Sequence, residues 1–423
     1  MAIDVSKLNA KTAEERLAAL RELLKEESLA DKPVRRENDA NNHIHTIYSF
    51  SPYSPTMAAY MAYKSGLTSA GIMDHDSLSG AKEFHEACRL LGLGATCGVE
   101  IRVKFDRGYG KINNPDQNNI CYMAAHGIPA QSIDALNEFL SSVRAKRNKR
   151  TEKMSRKIAD KFAKFGITFD FKKDVMTLSE VAEGGGITER HLLYALAFKL
   201  EEKFGRTQAL VDFLTNDLGL SVSDKIKGYL LDSENTCFSY DLLGVLKADT
   251  KFFYIDADEE LPCIEEVIEK VTSLGGIVAY PYLGDVGDSV TGDKKPQKFE
   301  DAYLPELMKE IVRLGVKAVA YMPTRNTPAQ LDRVMDFCNE YGLFQISGED
   351  INTPRQVFEC KALANERYAH LIDSTWALIG HEYASKTQGL AGGMFSKETI
   401  AKYPNLQERI KAFAEIGRKT IEK

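Results

Sequence analysis

Apolar and polar positions alternate in two rhythms along this chain. Between 38 and 105, short apolar runs are separated by segments whose apolar residues recur every three or four positions. "NNHIHTIYSFSP" (41–52) opens as a short strand and runs into an aromatic and serine-rich turn. "SPTMAAYMAYKSGL" has a Ser54-Pro55 start and a Gly66 stop, which predicts a helix. "TSAGIMDHD" reads as an apolar strand ending in charge, "SLSGAKEFHEACRLLGL" as a helix and "GATCGVEIRVKF" as a further strand. This βαβα order predicts a parallel sheet or barrel. The rhythm breaks at 127. "IDALNEFLSSVRAKRNKRTEKMSRKIADKFAKFG" is one long helical pattern, strongly basic around 144–157, and "TLSEVAEGGGITERHLLYALAFKLEEKFG" adds a glycine break at 184–186 and another helix. The βα rhythm returns in three units ending "GGIVAYPYLGD", "GVKAVAYMP" and "GLFQISGED".

The expected organisation is an N-terminal helix and connector over 1–36, a barrel built from 37–126 and 251–356, a helical insertion over 127–250, and a helical C-terminal segment over 357–423. There is no internal repeat and no low-complexity tract.

Composition narrows the function classes. The chain has 423 residues, of which 43% are hydrophobic and 27% charged, with a formal net charge of −6. That is enough chain for a large core, and the mild acidity predicts no strong attraction to nucleic acid or membranes. No apolar run approaches a membrane span, and the first 27 residues read as an amphipathic helix without a secretory core. The seven cysteines are scattered without a CxxC pair. They read as reduced core thiols of a cytoplasmic protein.

In a parallel barrel, chemistry collects where strands end. His43 and His45 lie two apart, hence on one face of a strand. The next strand ends in Asp74-His75-Asp76, the next carries Glu100, "NNICYMAAHG" ends at His126, and "ISGED" ends at Glu349-Asp350. His191 follows "GITER" in the insertion. Imidazole and carboxylate are ligands for Zn, Mn or Fe. Each residue alone is more simply a hydrogen-bonded core side chain or a helix cap; it is the recurrence at successive strand ends that points to a metal centre. His85, His370 and His381 stand in helical or loop context and are read as carrying no chemistry. The basic run Arg144, Lys146, Arg147, Lys149, Arg150 and Arg156 reads as a solvated helix face, with substrate contact as the competing reading. Arg190 and Arg325 are better placed for an anion, beside a candidate ligand and after a strand.

The stretch "HIHTIYSFSPYSPTMAAYMAYKSGLTSAGIMDHDSLSGAKEF…GVEI" resembles the opening of the PHP (polymerase and histidinol phosphatase) superfamily. "SLGGIVAYP" and "YGLFQISGEDIN" resemble its later segments, so the likeness spans about residues 38–356. The basic insertion followed by "TERHLLYALA" is similar to the branch of nucleotide and oligoribonucleotide phosphoesterases. The resemblance implies a distorted (β/α)7 barrel and a phosphoesterase acting on a small phosphorylated compound or nucleotide. Carried over by position, His43, His45, Glu100 and Asp350 match a first metal site, Glu100 with His126 and His191 a second, and His75 one ligand of a third. Two divalent ions sharing Glu100 would lie about 3.5–4 Å apart and generate a bridging hydroxide. Asp74 would orient His75, and Asp76 would act as general acid or cap the following helix.

The chain departs from the family pattern at four positions. Phe50 stands where the serine turn usually carries a ligand, Asn352 replaces a closing histidine, Tyr280 replaces the histidine of an AHP segment, and Ala320 replaces a glutamate. The expectation is two ions, with the third site lost or rebuilt. Tyr280 and Asn352 are then expected to face substrate. These changes around one mouth keep open hydrolysis of a non-phosphate bond, or ligand binding without turnover.

Overall fold

The computed structural model describes residues 4–26, 32–114, 116–286 and 297–421. Seven strands form one sheet in chain order: β1 Asn41–Ile44, β2 Ser69–His75, β3 Gly94–Lys104, β4 Ile120–His126, β5 Ile277–Pro281, β6 Ala318–Tyr321 and β7 Phe344–Ser347. The sheet curls until its first edge meets the segment after its last strand. His45 N–H donates to the Ile351 carbonyl at 2.9 Å, and Ile351 N–H donates to the His43 carbonyl at 3.1 Å. Gly348 permits this approach, since a Cβ there would sit 2.7 Å from the His43 Cβ.

Most pairs are parallel, as the helix-strand rhythm predicts. β4 is the exception, antiparallel to both β3 and β5. No helix separates β3 from β4 among the described residues, so the chain has no crossover with which to restore the parallel direction. The expected strict alternation therefore fails at this one step.

Helices with local signals form where they are expected. Ser54 caps Pro55–Lys64 by accepting from Met57 N–H, with Pro55 at the first position. Ala81–Leu91 ends at Gly92 with φ 64°. The helix Ile133–Ala163 runs unbroken for 31 residues. The C-terminal segment contains His370–Gln388, Lys397–Lys402 and Leu406–Arg418.

There are two principal cores. The larger lies around the sheet and takes in the N-terminal and C-terminal helices. The second is built almost wholly from residues 154–253, and Phe50 is its one contribution from the β1 side. No described helix is long and apolar enough to cross a membrane. All seven cysteines are free thiols, five of them buried.

Candidate metal centre

His43 and His45 do share a face: their ring centroids are 5.0 Å apart, and His45 lies 4.7 Å from the His75 ring. His75 and Glu100 are register partners on parallel strands, which places His75 Nδ1 3.1 Å from Glu100 Oε2. His45 Nε2 is 3.3 Å from Asp350 Oδ1, and His43 Nε2 is 3.8 Å from Glu100 Oε2. Two donor sets result, His43–His45–Asp350 and His45–His75–Glu100, each with its ligand atoms within 4.8 Å of one another. His75 Nδ1 is buried without a hydrogen bond although Glu100 is close. An imidazole nitrogen and a carboxylate oxygen that approach to 3.1 Å without forming a hydrogen bond both remain available to a common cation. The set of imidazole and carboxylate donors fits a divalent ion.

The serine turn orients His45. Asp74 is buried and accepts from Thr46 N–H, Thr46 Oγ1 and Ser49 Oγ, each at 2.6 Å. With its hydroxyl given to Asp74, Ser49 Oγ accepts from His45 Nδ1 at 3.2 Å. That keeps a hydrogen on Nδ1 and turns Nε2 towards Asp350, to which the metal-free ring donates; Nε2 is the nitrogen whose proton a metal ion would displace. Asp74 thus acts on His45 through Ser49, where the sequence pointed to His75.

Asp76 does not cap the next helix, whose N-cap is Gly80. Its backbone is held in the left-handed region at φ 52°, which Asp tolerates better than most residues. Oδ2 pairs with Arg147 Nη1 at 2.6 Å, and the backbone carbonyl accepts from Arg144 at 2.7 Å. Oδ1 is buried with no hydrogen-bond partner.

His126 falls outside the two tight sets. Because β4 runs backwards, its last residue pairs with Gly98, two residues before Glu100, roughly 7 Å lower along the sheet. Its Nε2 is buried without a partner. Burial, then the charge of His43, lowers its pKa to about 3, so it is a neutral imidazole with a free lone pair. His191 is delivered by the glycine triplet. Gly186 N–H donates to the Tyr48 carbonyl at 2.9 Å, and a Cβ on Gly185 would lie 2.9 Å from both the Tyr48 and Glu180 carbonyls. His191 Nδ1 accepts from Thr188 N–H at 3.0 Å at the start of Glu189–Phe204. Its hydrogen therefore sits on Nε2, and ligation through Nε2 requires giving up that bond.

Phe50 packs edge-on against His191 at 5.0 Å and against Tyr194 and Tyr240. It fills space there as part of the second core. Asn352 donates its amide to Asp350 Oδ1. Burial alone would raise the Asp350 carboxyl, but the hydrogen bond and charge of His45 hold it well below the usual range. Glu100 is pushed up to about 7, by burial first and the Asp350 charge among the rest.

Cations surround this cluster. Arg190 is half-buried, and its charge acts on His75, His191 and Asp350. Arg325 is half-buried, donates to the Leu283 carbonyl at 3.2 Å, and lies within electrostatic reach of Asp350 and Glu300. Of the basic run, Arg144, Arg147 and Arg150 turn inward, while Lys146, Lys149 and Arg156 face solvent. Tyr280 is buried and donates to Glu300 Oε1 at 3.0 Å. Ala320, on β6, is buried beside it in register, pairing with Pro281. Glu300, Ser49 and Tyr122, whose ring lies 5.6 Å from His75, are site residues that the sequence reading missed. Ser49 had a signal in the serine-rich turn; Glu300, 20 residues from Tyr280, had none.

No family model and no curated protein matches this chain. Among solved structures, it is similar to a protein from Bifidobacterium adolescentis provisionally described as a metal-dependent phosphoesterase, with a TM-score of 0.51, 20% identity, and coverage of 79% of this chain and 95% of that one. An amidohydrolase from Chromobacterium violaceum, solved with sulfate and no metal, is similar at a TM-score of 0.49 and 16% identity, over 75% of this chain and 89% of that one. At these identities the likeness to the Bifidobacterium protein establishes a shared mixed α/β fold.

Proposed function

We propose that this chain is a metal-dependent hydrolase of the PHP kind, with a (β/α)7-like barrel, that cleaves a phosphoester in a small phosphorylated compound or nucleotide. The observation that carries the reading is the pair of donor sets sharing His45, with His75 Nδ1 buried and unpaired at their centre. The description of the Bifidobacterium protein is in keeping with it. His43, His45 and Asp350 would hold one divalent ion, and His75 with Glu100 a second. His126 supplies a further lone pair from below. Bound Mn, Zn or Fe supplies Lewis acidity for the anionic transition state and acidifies water.

The chain's own residues do the rest. Arg190 and Arg325 bind the phosphoryl oxygens and bring the substrate to the ligand cluster. Ser49 and Asp74 keep Nε2 of His45 available. Asn352 holds the Asp350 carboxylate in place. Asp76 protonates the leaving oxygen: Arg147 fixes one of its oxygens, the other is unpaired, and burial raises its pKa. His191, with Nε2–H, donates to the substrate. Tyr280 and Phe50 stand where the PHP pattern usually has ligands, and on this reading no third ion binds. The expected compartment is the cytoplasm.

The test is metal content of the purified protein beside hydrolysis of a phosphoester panel with added Mn²⁺. About two ions per chain, with turnover abolished in His43→Ala, is the expected result. Ions bound without phosphoester turnover would redirect the reading to another hydrolysed bond. No bound metal after Mn²⁺ or Zn²⁺ is supplied would sink it.

A further inference from the structure

A second group of metal-type donors lies away from the centre just described. Cys97 is on β3 three residues before Glu100, so its side chain leaves the opposite face of the strand. There it meets His85 from the helix Ala81–Leu91 and Glu382 from the helix His370–Gln388. One ligand atom from each lies within 4.8 Å of the others. Three features set this group apart from a chance encounter of polar residues.

The first is an orphan. His85 Nε2 is buried with no hydrogen-bond partner, although Glu382 Oε2 is 3.4 Å away. The second is preorganisation. Glu382 Oε1 accepts from Cys97 N–H at 2.8 Å and from Thr96 Oγ1, which fixes the carboxylate with Oε2 aimed at His85; such supporting bonds hold metal ligands in place. The third is charge. Glu382 is 7% exposed and Cys97 1%. A carboxylate and a thiolate sharing one dication with a neutral imidazole leave no net charge in a largely buried site, whereas either anion alone would be costly there.

We propose that His85, Cys97 and Glu382 form a zinc-binding site that ties the C-terminal helices to the back of the sheet. Sulfur, nitrogen and oxygen donors together suit Zn²⁺ and disfavour Mg²⁺, Ca²⁺ or Mn²⁺. Tetrahedral zinc with bonds of about 2.0–2.3 Å spaces its ligand atoms roughly 3.3–3.8 Å apart. The His85–Glu382 distance of 3.4 Å already matches, and Cys97, within 4.8 Å of both, closes in by at most about 1.5 Å. The thiol hydrogen, directed at the Ile128 carbonyl at 3.4 Å, is released on binding. The side chain of His85 is 34% exposed, so water enters as the fourth ligand. The site gives residues 357–423, which carry none of the hydrolytic groups, a defined role.

Cobalt(II) separates this site from the hydrolytic centre, whose donors include no sulfur. Chelator-stripped full-length protein is titrated with Co²⁺ and followed in the near ultraviolet. The expected result is a thiolate-to-cobalt charge-transfer band whose final intensity corresponds to one thiolate–cobalt bond per chain, and which survives in His43→Ala, disappears in Cys97→Ser and weakens in His85→Gln. Absence of the band in the wild-type protein overturns the proposal. So does a band that persists in Cys97→Ser. If that variant does not fold, an unchanged band in His85→Gln, where the altered ring reaches the surface, overturns it equally. Loss of phosphoester turnover has no bearing on this readout, so the two proposals fail separately.

Discussion

At the residue scale the centre depends on which ring nitrogen of each histidine is free. The Asp74–Ser49–His45 chain decides this for His45. Ser49→Ala removes it while leaving every proposed ligand in place. Metal affinity is expected to fall about 10–100-fold, measured by titrating stripped protein, with the far-ultraviolet spectrum unchanged. The i, i+2 spacing of His43 and His45 was legible because strand geometry is local. The hydrogen on His191 was not, because Thr188 N–H reaches Nδ1 only once the helix start is formed. Glu300 shows another residue-scale effect. Burial pushes its pKa up to about 7 from 4.5, so the native state holds this proton more tightly than the unfolded chain. Its contribution is fully present below about pH 4.5, falls as pH rises towards 7, and is flat above. That slope totals on the order of 3 kcal/mol. Glu300→Gln is expected to remove it, seen by comparing urea midpoints of variant and wild type across that range.

At the scale of elements, the basic helix is the instructive case. Arg144, Arg147 and Arg150 recur every third residue, a spacing that puts them on one face. That face turns inward, Arg144 onto the Asp76 backbone carbonyl and Arg147 and Arg150 into ion pairs. Arg150 bonds to Glu260 and to Glu189 at 2.7 Å, and Arg102 of β3 is 3.4 Å from Glu260. The network binds the insertion to the sheet, and the intervening lysines stay in water. Charge alone could not separate these fates, since both faces are basic in sequence. Arg150→Met leaves buried carboxylates short of a partner and is expected to cost about 3–5 kcal/mol in denaturant unfolding. The C-terminal helices pack through Gly380 and Gly417: a Cβ on Gly380 would run into the Phe413 carbonyl. Gly380→Ala is expected to destabilise by about 1–3 kcal/mol, read as a lower unfolding midpoint.

On the scale of the whole molecule, ligands from β1, β2, β3 and the segment after β7 converge because the sheet curls back on itself. On the proposed reading metal binding is coupled to folding, since the unfolded chain has no such cluster. At free metal 100 times Kd, each ion is expected to add about 2.7 kcal/mol to stability. Removing metal from the holoprotein with a chelator should lower Tm, and restoring Mn²⁺ or Zn²⁺ should recover it; His43→Ala should blunt the response.

Sequence by itself determined the helices, the strand positions and which polar residues stand at the strand ends, because caps, glycine stops and apolar period are set by neighbouring residues. Tertiary structure alone decided the rest. The direction of β4 depends on pairing with β3 and β5, and it places His126 below Glu100. Whether an arginine contacts water or a buried glutamate depends on what packs against its helix. His85, read in isolation as an inert helical residue, meets Cys97 and Glu382 only when segments nearly 300 residues apart are folded together.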